Sequence, residues 1–108
     1  MGSGSRRSIK DNMLINKGVS AGEVITLKLT SGEEIVAKLV EDGPLHYKLK
    51  NPQVIGMGPK GPGLMPYLFT VNPDTEIKLQ KSTVTVAEAT DAQFAKQFLE
   101  STTGIALA

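Results

Sequence analysis

Few side chains in this chain are of the kind that make or break covalent bonds. His46 is the single histidine and cysteine is absent, so a conventional zinc site lacks ligands and no disulfide framework or thiolate nucleophile can be built. A Ser-His arrangement would need hydroxyl partners that the sequence does not place beside His46. The carboxylate pairs Glu33-Glu34 and Glu41-Asp42 both fall at turns, where solvated charge is the ordinary state. Gly56-Met57-Gly58-Pro59-Lys60-Gly61 has the spacing of a dinucleotide-binding fingerprint, but that fingerprint works only where a strand turns into a helix, and Pro59 and Pro62 obstruct a helix there. The expectation is a protein that is not an enzyme, with no catalytic residues, no metal and no cofactor.

Binding chemistry is better represented. Lys28, Lys38, Lys48 and Lys50 all alternate with aliphatic residues, so they share the outward face of neighbouring strands and form a basic stripe beside His46 if the register permits. Such a stripe is either an ordinary solvated sheet face or a set of phosphate contacts. From Gly61 to Pro73 the chain carries no charge. An uncharged apolar strand of that length requires a cover. The cover is either the C-terminal helix, with Phe94 and Phe98 against Tyr67 or Phe69, or another copy of the chain.

Alternating apolar residues outline the elements that position these groups. Ile25, Leu27 and Leu29 alternate with Val24, Thr26, Lys28 and Thr30, which predicts a half-buried strand over Val24–Thr30. Ser31-Gly32 supplies a hairpin turn, since glycine tolerates positive φ. Ile35, Ala37 and Leu39 then face inward on a second strand, with Glu34, Val36, Lys38 and Val40 on the other side. Glu41-Asp42-Gly43-Pro44 ends that strand. Leu45, Tyr47 and Leu49 share the inner face of a third, which bends at Asn51-Pro52 and resumes through Val54, Ile55 and Met57. Gly56–Gly63 reads as a loop, Leu64–Val71 as an edge strand or bulge around Pro66, and Asn72-Pro73-Asp74-Thr75 as a type I turn. Ile77 and Leu79 alternate with Lys78 and Gln80, then come Val84 and Val86, which gives either one interrupted strand plus a last one or two hairpins. A helix is expected to start at Thr90, with Gln93 completing a capping box and Asp91 favoured by the helix dipole. Phe94, Ala95, Phe98 and Leu99 form its apolar stripe, it stops near Thr103-Gly104, and it packs on an open end of the barrel. Ser8–Asn16 can form a helical turn or two.

Length and charge bound the rest. At 108 residues one domain is expected, and 12 basic against 11 acidic residues leave a net charge of +1, so any nucleic-acid site must be local or summed over several subunits. No apolar run is long enough to span a bilayer and no signal peptide is apparent, which predicts a soluble, cytoplasmic protein without membrane contact. The division expected is a flexible arm over 1–18, containing the linker-like Gly2–Ser5 and the basic Arg6, Arg7 and Lys10, a barrel over 19–88, and a helix with its tail over 89–108.

Taken together these motifs resemble the Sm and Sm-like (LSm) family, including the small Sm-like proteins of marine cyanophages. The first family motif is similar to Leu27-Lys28-Leu29-Thr30-Ser31-Gly32, then Ile35, Ala37 and Leu39, then Asp42-Gly43-Pro44-Leu45-His46-Tyr47-Lys48-Leu49, with one residue fewer between Leu39 and Asp42 and Ala37 at a frequent glycine. The second resembles Leu79-Gln80-Lys81-Ser82-Thr83-Val84, without the family's arginine and glycine. The resemblance implies a mainly β fold, a small strongly bent five-stranded open barrel of the SH3 type, here with a C-terminal α-helix where the family helix usually comes first. It also implies a cyclic homo-oligomer of about five to seven subunits that binds single-stranded RNA or DNA. Position by position, Pro44 takes the stacking place, His46 the amide place and Gln80 the arginine place, with Asp42 buttressing the loop and Ser82 beside it. Lys48, Lys50 and Lys81 then serve as phosphate contacts. Met65, Tyr67, Leu68, Phe69, Val84 and Val86 are the residues expected at the interface between copies. The alternative function is a phage structural or assembly ring that binds no nucleic acid, and a phage-encoded protein would act in the cytoplasm of the infected bacterium.

Overall fold

A computed structural model describes residues 19–102. The expectations for the N-terminal arm, for the Ser8–Asn16 turns and for the chain from 103 onward lie outside the described residues. The fold is mainly β, a bent antiparallel sheet followed by a helix: β1 Val24–Leu29, β2 Glu34–Asp42, β3 His46–Gly58, β4 Gly61–Pro66, β5 Glu76–Gln80, a short 3-10 helix Lys81–Thr83, β6 Val84–Ala89 and α1 Ala92–Thr102.

The first hairpin follows the alternation. Ile25, Leu27, Ile35, Ala37 and Leu39 are wholly buried, with Leu27 opposite Ile35 and Ile25 opposite Ala37. Gly32, at φ +107°, makes the turn, and its N–H donates to the Leu29 carbonyl (2.9 Å). The strand order is β4-β3-β2-β1-β6, with β5 also paired to β3. β5 and β6 thus sit at opposite ends of the path β5-β3-β2-β1-β6. In a flat sheet, four strand spacings would part them by roughly 19 Å, whereas three residues of 3-10 helix advance the chain only about 6 Å. The sheet must therefore bend enough to bring the start of β6 near the end of β5. Tyr47, Leu79 and Val84 accordingly pack on the same cluster as Ile25, Leu27 and Leu49.

Several elements differ from the sequence reading. The sheet has six strands rather than five: β4 pairs with Gln53–Gly58 and β5 with His46–Lys50 on the same edge of β3. The Gly56–Gly63 segment is a hairpin rather than a loop, with Gly56 opposite Gly63 and Gly58 opposite Gly61 and only Pro59 and Lys60 in the turn. The apolar strand stops at Pro66 instead of running to Val71. β3 is a continuous strand of 13 residues that bends where expected. Asn51 there adopts φ +54°, and the register with β2 shifts between Val36 and Lys38, as a bulge requires. The Asn72–Thr75 turn is present, closed by the Thr75 N–H on the Asn72 carbonyl (2.9 Å).

The helix lies elsewhere than expected. Its cap is Asp91, whose Oδ2 accepts from the Gln93 N–H (3.1 Å), a standard N-cap bond. Thr90 instead bonds Thr26 through the two hydroxyls (2.8 Å). Thr26 points away from Ile25 and Leu27, so α1 starts on the outer face of β1, which it contacts. Val36, paired with Thr26, and Phe98 are buried but stand outside the main cluster. Val36, on the outward face of β2, is 2% exposed, so that position does not belong to a solvated polar face. Tyr67 packs on the main cluster, Phe98 is buried outside it, and Phe69 is 77% exposed. Among the described residues no helix is long and apolar enough to cross a membrane.

Candidate nucleic-acid interface

The two turns singled out by the sequence motifs meet at one end of the curled sheet. His46, the first residue of β3, is opposite Gln80, the last of β5. The turn between β2 and β3 is tied by the Gly43 N–H on the His46 carbonyl, and the 3-10 helix is tied to it by the Lys81 N–H on the Leu45 carbonyl, both 2.9 Å. A Cβ on Gly43 would lie 3.0 Å from the His46 imidazole. Glycine at 43 therefore lets the ring fold down onto the backbone of the turn. Pro44 and Leu45 form the exposed tip. Leu45, expected to face inward with Tyr47 and Leu49, is 74% exposed, because the strand begins only at His46 and the turn carries Leu45 off the inner face.

Asp42 and Lys81 complete the end on its inner side. Asp42 is opposite Tyr47, Lys81 Nζ donates to Asp42 Oδ1 at 2.5 Å, and the same ammonium stands 4.7 Å from the Tyr47 ring centroid. The bond to Asp42 holds the Lys81 pKa above its ordinary value, against a smaller desolvation effect, with the charge of Asp42 adding to the rise. The ion pair links the end of β2 to the start of the 3-10 helix. Ser82 is exposed on the 3-10 helix, and the Thr83 hydroxyl donates to the Gln80 carbonyl (2.8 Å).

On the outer face the register arranges cations in rows across β2, β3 and β5. One row runs Glu41, Lys48, Lys78 and the next Lys38, Lys50, Glu76. Lysines directly opposite one another repel. Lys48 is relieved by Glu41 at 3.4 Å and Glu76 at 3.9 Å. Lys28 stands apart from these rows, on β1 opposite Glu34 of β2, so the stripe expected from four lysines loses one member and gains Lys78. The alternation of Lys78 with Ile77 and Leu79 carried that signal, but which strand stands beside β3 decides whether it counts. Glu41 and Glu76 as counter-charges, and Tyr47 as a platform for Lys81, were likewise legible only once partners were known.

The residues expected at an interface divide. Met65, Leu68, Phe69 and Val86 are exposed, at 48, 38, 77 and 49%, while Tyr67 and Val84 pack against the core. β4 and β6, which carry Met65 and Val86, are the two end strands of the sheet path, so each presents an edge to another strand. Comparison of the sequence with protein-family models and with curated proteins finds no match.

Proposed function

We propose that the chain is an Sm-like subunit that joins other copies through its β4 and β6 edges, closes into a ring, and binds single-stranded RNA or DNA at the grouped turns. The observation that carries this reading is the meeting of the β2–β3 turn with the start of the 3-10 helix, which sets His46 opposite Gln80. An imidazole and a carboxamide side by side offer donors and acceptors to a base edge. Pro44 at the exposed tip gives the base an apolar surface, and Lys48 and Lys50, two residues apart on the same face of β3, stand where phosphates would run. A last strand that returns to the first after a short 3-10 helix supports an Sm-like, SH3-type arrangement, with the fourth strand split in two. Each subunit adds one weak site and the ring multiplies them.

The experiment is light scattering with fluorescence anisotropy on the same sample. A closed oligomer that binds labelled U-rich, A-rich or mixed oligonucleotides, more weakly as salt rises, is the expected result. Val86→Lys, a charge set on the β6 edge, is expected to reduce the mass toward that of the protomer. A protomer at high concentration, or flat anisotropy at low salt for every sequence, refutes the reading. The second reading, a phage structural ring without nucleic-acid binding, is favoured by one observation: Lys48 and Lys81 already have carboxylate partners within the chain. It predicts a stable oligomer whose anisotropy signal stays flat.

A further inference from the structure

β4 and β5 share one edge of β3 but leave a gap between them, at the Asn51-Pro52 bend. The gap is a groove of about 230 Å³, walled by the bend, by Pro66 at the end of β4 and by the segment from Leu68 to Thr75. This is below the ~300 Å³ at which ordinary small-molecule pockets begin, so it suits one flat ring system.

We propose that this groove is a nucleobase pocket, and that Lys50 and Lys38 beside it hold the adjoining phosphate. The inference rests on the nucleic-acid reading but places a base away from the His46 and Gln80 turns. A nucleotide has an uncharged, flat, polar-edged half and an anionic half. The surface has the same division. No charged residue lines the groove, and its polar groups include the carboxamides of Asn51, Gln53 and Asn72. Among the described residues neither Asn51 nor Gln53 uses its side-chain amide in a hydrogen bond, whereas Asn72 Oδ1 accepts from the Asp74 N–H (2.8 Å), leaving its NH₂ free to donate. Phe69 also lines the groove while 77% exposed, an unburied aromatic face of the kind on which single-stranded bases stack. The cationic half begins one residue away: Lys50 precedes Asn51 and lies between Lys38 and Glu76, two cations to one carboxylate.

A peptide strand fits this wall poorly. Pro52, Pro66 and Pro73 offer no N–H, the Pro52 carbonyl already accepts from the Tyr67 N–H, and the Asn72 carbonyl from that of Thr75. Strand addition depends on free backbone groups, so side-chain recognition of a base is the better use of the groove.

The test compares labelled 12-residue oligonucleotides of adenine and of uracil with an abasic deoxyribose-phosphate strand of equal length, by anisotropy, with light scattering alongside. Phe69→Ala is expected to weaken the base-bearing strands by about 5- to 150-fold, the equivalent of one lost stack, while leaving the abasic strand and the oligomeric mass unchanged. Phe69→Tyr restores most of the affinity. Lys38→Gln with Lys50→Gln is expected to flatten the salt dependence of all strands by about 1.4 in log–log slope, for two contacts at ~0.7 each. Base-bearing strands that bind the wild type but are indifferent to Phe69→Ala overturn the pocket and leave the turn site standing. A loss of mass in Phe69→Ala also overturns it, making the groove an interface between copies. A wild type that binds no strand removes both readings.

Discussion

Phe98 decides whether α1 is an integral layer or a separable cover. It is 1% exposed and is the buried residue of an 11-residue helix, while helices shorter than about 12–15 residues are marginal by themselves in water. Burying a phenylalanine side chain contributes roughly 1.5–3 kcal/mol, and the Thr26–Thr90 hydrogen bond adds about 0.5–1.5 kcal/mol. Truncating a fully buried phenylalanine to alanine costs about 3–5 kcal/mol, which matches or exceeds what holds the helix down. Phe98→Ala is therefore expected to release α1 rather than to weaken the whole fold by the full amount, because global stability cannot fall by more than the docking free energy. Native-state hydrogen exchange is the assay. Amides of α1 from Lys96 onward should lose protection, while those of Leu27 and Leu39 in the main core should fall by no more than the docking free energy, about 4.5 kcal/mol at most. Leu27→Ala is the contrast: Leu27 is 0% exposed in the main cluster, and its loss of about 2–5 kcal/mol should spread over every strand. If Phe98→Ala instead lowers protection uniformly through sheet and helix, with the helical circular dichroism intact below the transition, the helix is part of one cooperative unit and the reasoning fails.

Asp42→Asn replaces the carboxylate that raises the Lys81 pKa with a neutral amide oxygen, a weaker acceptor without charge, so the ammonium should titrate at lower pH by NMR. With the folded pKa raised, the pair stabilises fully below the unfolded value near ~10.4, and its contribution is lost as pH rises through the folded value. The substitution should diminish that alkaline loss, and an unmoved Lys81 titration would mean that Asp42 is not its partner. Two glycines of one strand should respond oppositely in urea titrations. Gly61 holds φ +111°, so Gly61→Ala should cost about 1–2 kcal/mol. At Gly63 a Cβ meets nothing within 4 Å, and Gly63→Ala should stabilise by about 0.4–1 kcal/mol. Equal effects at the two positions would contradict the backbone assigned to the hairpin.

The first hairpin could be read directly because a period-two pattern with one apolar face has a single way to bury itself. The β3–β4 hairpin could not: glycine and proline disfavour strands locally, and what holds Gly56–Gly58 extended is the ladder to Gly61–Gly63, a partner invisible to composition. Val36 was misplaced for a similar reason. A valine on the outward face of β2 is indistinguishable from a surface residue in the sequence, yet it is 2% exposed in the fold. The helix cap moved from Thr90 to Asp91 because Thr90 has a better partner in Thr26, 64 residues earlier. At the candidate site the motif residues were legible individually, Asp42 and Lys81 as much as His46 and Gln80. Their pairing was not, since a salt bridge between residues 39 positions apart depends on how far the sheet rolls.

Packing alone narrows where a long polymer could lie on this protomer. The inside of the curl is filled by Ile25, Leu27, Ile35, Leu39 and Leu49, so nothing threads it. Part of the outer face over β1 is taken by α1. The free sides of β4 and β6 offer backbone groups, which suit another strand rather than a chain of phosphates. What remains is the outer face of β3 with its flanks on β2 and β5, and there the register gathers Lys38, Lys48, Lys50 and Lys78 against Glu41 and Glu76. A chain of net charge +1 thus has no strong overall field to draw a polyanion, but it has one face with four cations to two anions. If copies assemble edge to edge, that local excess is repeated in every copy while the core and the helix stay out of the way. Affinity that rises with the number of assembled subunits and falls with salt follows from this arrangement, and a protomer held apart at the β6 edge should lose the first dependence and keep the second.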